Sequence, residues 1–374
     1  MRVLFITGSS PPEICGVGDY TDKLATSLVQ KGLCVEVLSR GKLTKYNKSF
    51  LNISQINNKW RGKDLLEIMA VIKKFSPELI HIQYPSIGFG NSLVPQLVSS
   101  IYRLFLIPII TTIHEFKIAH ILRKMSILIF IYTSQKVIFT TNEEKNYVIK
   151  FVKNCRKATK KFEVIPIGSN LPNLESQNFY DSNLVIFWGM FHKGKNIEVL
   201  LKGFQIAKMR NPNLRLLLIG GKHPRYSNFI NEIEYYIKDL GLDKSVDFMI
   251  NQPPNIIAHC LQKSCVAVLP FSDGVTFRRG TFIAAAQLGV PVITCKGEDT
   301  PKELLNNHNI IFADNYVEIA SAILSITSDM NKRKNLSKNI KALMNEFNWD
   351  SIAEKHIKIY EDTVKYYYDY VLKI

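Results

Sequence analysis

The chain has no CxxC pair, no apolar run near the length of a membrane span and no surplus of acidic residues. Its six cysteines, Cys15, Cys34, Cys155, Cys260, Cys265 and Cys295, are scattered through 374 residues. That spacing offers neither a zinc site nor a compact disulfide framework, and a reducing compartment is the expectation. The longest apolar runs, around Leu104–Ile113 and Ile127–Tyr132, fall far short of the roughly 20 residues that cross a bilayer. No secretory leader is expected, because Met1–Thr7 reads as a short strand followed by turn residues. With no zinc-knuckle, helix-turn-helix or RNP-type aromatic signature, nucleic acid is not an expected partner.

What the chain does have is excess positive charge, unevenly placed. Lys and Arg number 48 against 32 Asp and Glu, a net charge of +16. Residues 1–178 hold 24 of the cations and only 12 acids, whereas residues 179–374 hold 24 against 20. A basic first half suits an anionic partner such as a phospholipid surface or a lipid-linked phosphate. A merely solvated basic face fits the same count. The apolar segment Ile118–Tyr132, flanked by Lys117, Arg123, Lys124 and Lys136, reads equally as a docking element for an anionic membrane or as a buried helix.

Strands and helices alternate, twice over. Short apolar strands at Arg2–Thr7, Cys34–Leu38, Leu79–Gln83, Ile107–Ile113, Lys136–Thr140 and Glu163–Ile167 are separated by helix-like segments, with a polar stretch over Ser39–Lys63. Asn170–Asn183, polar and holding Pro172, reads as a linker. Beyond it the alternation restarts with Leu184–Trp188 and runs to Val290–Thr294, and the last elements are mostly helical. This pattern predicts an α/β protein of two Rossmann-like domains with parallel sheets, residues 1–172 and 173–348. A long amphipathic helix from Trp349 to about Val371, within 349–374, is expected to pack back on the first domain.

In such sheets ligands sit beyond the carboxyl ends of the strands, where helix N-termini favour phosphate. The first loop, Gly8–Gly18, carries Gly16 and Gly18, which let a backbone approach a ligand closely. It is not a dinucleotide fingerprint, since the third glycine falls at Thr21 and the turn is too long. His114 and Glu115 follow directly on a strand and are placed to meet a substrate hydroxyl, whereas His81 lies inside its strand. In the second half, Gly189 ends a strand and Lys195 precedes a helix, as a diphosphate site wants. His192 and Lys193 enrich the same loop, and Gly220 and Gly221 close the next strand. The stretch from Leu269 to Thr294 holds Asp273, Arg278 and Arg279 before a helix that starts at Gly280 and Thr281. Arginines at a helix N-terminus oppose its dipole and make sense with an anion between them.

Taken in order and spacing, these segments resemble the retaining glycosyltransferases of glycosyltransferase family 4, which have the GT-B fold, and in particular a bacterial surface-polysaccharide subgroup. CGVGDYTDKLATSLVQKGLCVEVL, HIQYP, TIHEF, VIPIGSN, GMFHKGKN, LPFSDG, RRGT and LGVPVIT carry the resemblance over nearly the whole chain. It implies two domains facing each other across a cleft and transfer of a sugar from a nucleotide-diphosphate sugar to a glycan hydroxyl, with a polyprenyl-diphosphate-linked acceptor. It implies that Lys195, Arg278, Arg279, Gly280 and Thr281 hold the diphosphate and that Gly189, Gly16 and Gly18 border the site. Asp273 is then expected on the transferred sugar, His114 near the reacting centre and Glu115 on the acceptor side. No DxD-type motif is present, so neither metal nor cofactor is expected, and the enzyme is expected in the cytoplasm, peripheral on the inner membrane face. Two departures stand out: the paired glutamates of many members fall here at Thr276 and Ala284, and an arginine after the first donor-domain glycine is Met190. A GT-B sugar-nucleotide epimerase and a non-catalytic nucleotide-sugar-binding partner remain the alternatives.

Overall fold

Arg2–Ile6, RVLFI, is buried from its second residue onward and forms β1 at the centre of the first sheet. The computed structural model describes residues 1–13, 15–41, 51–56, 60–105, 107–152, 159–172, 174, 181–221 and 228–370. Around β1 stand β2 (Cys34–Arg40), β3 (Asn52–Ile56), β4 (Leu79–Tyr84), β5 (Ile109–Ile113), β6 (Lys136–Phe139) and β7 (Phe162–Val164). All pair in parallel, in the order β3-β2-β1-β4-β5-β6-β7. β4 and β5 are buried at every residue, as strands covered on both faces must be. The cover comes from α1 (Gly16–Gln30), α2 (Leu65–Phe75), α3 (Val94–Leu104), α4 (Ile121–Thr133) and α5 (Asn142–Phe151).

β3 falls inside the Ser39–Lys63 stretch that reads as polar and irregular. Of its residues, NISQI, only Ile56 is fully buried, so the apolar signal of an edge strand is weak there. Residues 42–50 and 57–59 of that stretch lie outside the described set. The apolar segment at Ile118–Tyr132 becomes helical only at Ile121, with His120 as its N-cap.

The chain divides into two compact units, Met1–Ile167 together with Trp349–Ile374, and Gly168–Asn348. The division falls at Ile167, slightly before the sequence-based boundary at 172, and residues 173 and 175–180 of the expected linker lie outside the described residues. The C-terminal helix Trp349–Tyr370 completes the first unit: Ile352, Ala353 and Tyr360 share one core with Val3, Phe5, Tyr20, Leu24 and Leu28. Val371, the expected end of this helix, lies outside the described residues. At its rim, Lys31 Nζ meets Glu354 at 2.8 Å, an exposed pair of small energetic weight beside the apolar contact.

The second unit repeats the plan. β8 (Asp181–Trp188), β9 (Arg215–Gly220), β10 (Val246–Ile250), β11 (Ser264–Leu269), β12 (Val292–Thr294) and β13 (Ile311–Phe312) form a parallel sheet ordered β10-β9-β8-β11-β12-β13. Helices Ile197–Arg210, Phe229–Asp239, Pro254–Lys263, Gly280–Gln287, Tyr316–Ser328 and Met330–Leu343 accompany it. β8 starts at Asp181, so three residues of the apparent linker belong to the sheet. β13 is only two residues long and escapes the period-two signal altogether. In both sheets the strand order reverses once, between β1 and β4 and between β8 and β11.

Candidate functional site

Two loops leave the reversal point of the second sheet, one after β8 and one after β11, and ligands of open α/β sheets lie at such points. The β8 loop carries a single tight turn, Lys193–Lys195, capped by His192, whose Nδ1 accepts from the Gly194 N–H at 3.2 Å. Asn196 then takes a left-handed conformation (φ 47°), which asparagine tolerates better than most residues. This bend sets Lys195 immediately ahead of the Ile197–Arg210 helix. The β11 loop is tied to it by Ser272 Oγ, which donates to the Gly194 carbonyl at 3.4 Å.

Between these loops lies the ring of Phe271, which is 2% exposed. Lys195 Nζ stands 5.0 Å from its centroid and the Arg279 guanidinium carbon 4.8 Å, so one aromatic ring carries two cations. Arg279 is also paired with the Asp273 carboxylate. Burial and the neighbouring Arg279 push the Lys195 ammonium down to about 8, and Asp273 only partly offsets them. Two cations on one ring, with the single carboxylate of Asp273 paired to Arg279, form a site that gains from an added anion. The helix Gly280–Gln287 opens here, with Arg279 as its N-cap. Its first N–H groups have no carbonyl partner within the helix and favour negative charge. Gly280 is exposed, and a Cβ there would meet nothing within 4 Å.

The structure therefore brings Lys195, Asp273, Arg279, Gly280 and Thr281 together around the end of β11. Arg278 joins the same turn through its amide, which donates to Thr276 Oγ1 at 3.3 Å. Gly189 sits under the Lys195 stem, 3.8 Å from its Cε at the Cβ position. Gly220 and Gly221 serve the fold instead: a Cβ would lie 1.9 Å from the Gly189 carbonyl oxygen and 2.8 Å from Met190 Sδ respectively. The two positions that resemblance gives to glutamates are put to other use, since Thr276 closes the turn and Ala284 is fully buried. Phe271 was invisible to sequence reasoning, because an aromatic beside a strand end reads as ordinary core.

The remaining candidates belong to the first unit. Its reversal point is built by backbone contact, with Gly88 so near the Gly8 carbonyl that a Cβ would lie 1.8 Å from its oxygen. Gly18 has a packing reason of its own, since a Cβ would sit 2.7 Å from the Ser9 carbonyl oxygen, whereas the space at Gly16 is open. His114 follows β5, half-buried, with its ring edge-on to Tyr20 at 4.8 Å. Its Nε2 lies 2.8 Å from Gln83 Oε1. The loop beyond it is held by Glu144, a buried carboxylate that accepts from the Phe116 and Lys117 N–H groups at 2.6 and 3.1 Å. Glu115 lines a groove of about 870 Å³ together with Tyr84, Leu122, Arg123, Met125 and Ile129. α4 thus has two characters: Ile127, Phe130 and Ile131 are buried, while Ile121, Leu122 and Met125 are 53%, 74% and 52% exposed. Among the described residues no helix is long and apolar enough to cross a membrane.

Residues 173–343 match the family model described as glycosyl transferases group 1. Over 189 residues the chain is 26% identical to a D-inositol 3-phosphate glycosyltransferase of Corynebacterium kroppenstedtii, covering 49% of this chain and 41% of that protein. Over 186 residues it is 25% identical to an N-acetyl-D-galactosaminyltransferase of Campylobacter jejuni, named for a PP-undecaprenol-linked acceptor, with 49% of each covered. The matches thus span somewhat under half of these curated relatives. HepE of Anabaena, solved with UDP and glucose, superposes with a TM-score of 0.71 at 14% identity, over 97% of this chain and 100% of that one. The two Rossmann-like units are those of the GT-B fold.

Proposed function

We propose that this chain, whose residues 173–343 carry a group 1 glycosyltransferase domain, moves a sugar from a nucleotide-diphosphate sugar to a hydroxyl of a lipid-linked glycan, with retention of anomeric configuration. One observation carries the reading: Lys195 and Arg279 stacked on Phe271 beside the start of the Gly280–Gln287 helix. As the bond between the sugar's anomeric carbon and the diphosphate oxygen breaks, negative charge collects on the leaving diphosphate. Lys195, Arg279 and the amides of Gly280 and Thr281 receive that charge from fixed positions, the most effective form of electrostatic catalysis. Asp273 holds Arg279 in place and offers its carboxylate to the hydroxyls of the departing sugar. The acceptor hydroxyl attacks the anomeric carbon and gives its proton to a phosphate oxygen of the leaving group. In this reading no cofactor is needed beyond the donor, and His114 and Glu115 of the first unit meet sugar and acceptor.

The nucleotide is supported by the UDP of the HepE structure, and the lipid-linked acceptor by the name of the Campylobacter relative. Thermal unfolding in the presence of UDP, GDP, ADP and their sugar conjugates tests the donor site. One of them should raise the melting temperature, by the equivalent of about 2.7 kcal/mol at a hundred times its dissociation constant. No shift with any of them defeats the proposal. Nucleoside diphosphate should then appear only when acceptor is supplied. A changed nucleotide sugar without acceptor marks an epimerase, and binding with no diphosphate release marks a non-catalytic partner.

The exposed apolar side chains of α4 and its approach, with Lys117, Arg123 and Lys124 among them, fit an anionic bilayer surface where lipid-linked acceptors reside. Leu122→Glu with Met125→Glu should weaken sedimentation with phosphatidylglycerol vesicles by about 10-fold or more, through lost burial and added repulsion. Added salt should weaken the wild type too. Equal binding by variant and wild type overturns the docking face.

A further inference from the structure

A line of buried polar side chains runs from His114 to the C-terminal helix. Gln83, His81, Thr112 and Tyr360 along it are each fully buried, so each polar atom demands a partner of the right kind. His114 Nε2 lies 2.8 Å from Gln83 Oε1, and Gln83 Nε2 lies 3.2 Å from His81 Nε2. His81 Nε2 also lies 2.8 Å from Thr112 Oγ1, and His81 Nδ1 lies 2.6 Å from Tyr360 Oη.

The Gln83 amide sets the polarity of this line, since the hydroxyls and imidazoles along it can each take either role. The Gln83 amide donates from nitrogen and accepts at oxygen. Its Nε2 donates to His81 Nε2, which therefore carries no proton and also accepts from the Thr112 hydroxyl. The single proton of neutral His81 then sits on Nδ1 and is donated to Tyr360 Oη. At the other end Gln83 Oε1 accepts, so His114 Nε2 carries a proton and donates it. Burial pushes the His81 imidazole well below its ordinary range, and nearby His356 and His114 push it the same way, so it is neutral at physiological pH.

A second contact joins the same helix to the same histidine. His356 Nδ1 lies 2.8 Å from the Ile352 carbonyl oxygen and donates to it, which leaves His356 Nε2 to accept from Tyr20 Oη at 3.4 Å. Tyr20 in turn presents its ring to His114. The helix is thus linked to His114 by two routes, one polar through His81 and Gln83 and one through the ring of Tyr20.

We propose that Tyr360 is a positioning residue which, through His81 and Gln83, fixes His114 in the tautomer protonated at Nε2, and so leaves Nδ1 as its accepting nitrogen. The tautomer is a property of the first unit by itself. Its bearing on catalysis rests on the proposed placing of His114 at the reacting sugar.

Tyr360→Phe tests the relay, since it deletes one oxygen and keeps the ring. His81 Nδ1–H then has no acceptor. The proton moves to Nε2, where Thr112 Oγ1 and a turned Gln83 amide accept it. Gln83 Nε2 now faces His114, whose own proton moves to Nδ1. Long-range proton–nitrogen correlation spectra of the imidazoles read this directly, with the His114 signals identified by their loss in His114→Gln. The expected result is a protonated-type nitrogen at Nε2 in the wild type and at Nδ1 in Tyr360→Phe. In Gln83→Met the link is cut, and adding Tyr360→Phe should no longer alter His114. An unchanged His114 tautomer in a folded Tyr360→Phe protein overturns the relay. With the tautomer switched, kcat should fall at least about 10-fold at unchanged donor KM, a wrong tautomer costing far more in known triads. A switched tautomer with unchanged kcat sustains the relay and defeats the assigned role of His114.

Discussion

Lys195→Met is expected to lower kcat by about 100-fold or more while leaving the fold as stable as the wild type, or more so. The two halves of that result have one cause. The Lys195 ammonium is half-buried beside Arg279, and its pKa falls from 10.5 to about 8. Between these values the unfolded chain binds a proton that the folded chain has released, so this group makes stability rise with pH across that window. Below about pH 8 its full destabilising effect is present, and methionine, of similar length and no charge, removes it. For catalysis the same charge is needed, because the leaving diphosphate is where it is answered. kcat/KM, which reports the free enzyme, should therefore fall as pH rises past about 8. Melting curves and a pH–rate profile check both. A variant whose stability and activity fall together would reduce Lys195 to a structural residue.

Arg279→Ala is expected to separate cleanly from Arg278→Ala. Arg279 lies on Phe271, pairs with Asp273 and stands at the N-cap position of the Gly280–Gln287 helix, so loss of its guanidinium should lower kcat/KM for the donor by about 100-fold. Arg279→Lys should recover only part of this, since an ammonium lacks the planar fork that grips a carboxylate and a phosphate together. The cations on Phe271 are Lys195 and Arg279, and Arg278 stands beside them with its amide bonded to Thr276, so Arg278→Ala should cost less kcat/KM for the donor than Arg279→Ala. Steady-state kinetics with varied donor decides it, and equal losses at both positions would dissolve the Phe271-centred site.

The two-sheet plan was readable because strands buried on both faces leave apolar runs that helices of regular length separate, and β4, β5 and β11 are of that kind. β3 and β13 were not, the first because a half-exposed edge strand looks like polar coil, the second because two residues hold no period. Lys195, Asp273 and Arg279 could be picked out from their places after strands and before helices. Their common platform could not, since nothing in Phe271 itself distinguishes a ring under two cations from a ring in the core. His81 was readable as a strand residue, but its dependence on Tyr360, 279 positions away, was not. Glycines misled in the other direction: Gly220 and Gly221 look like room for a ligand, and their space is taken by the chain itself.

The return of the C-terminal helix to the first unit has a consequence for how the chain comes off the ribosome. β1 and β4 emerge early, yet the helix that seals His81 and Tyr20 from water is made only after residues 168–348. Until then the nascent sheet must expose part of its interior, while the second unit, contiguous in sequence, can close as it is made. Assembly should therefore run inside out along the chain, with the later unit reaching its native state before the earlier one.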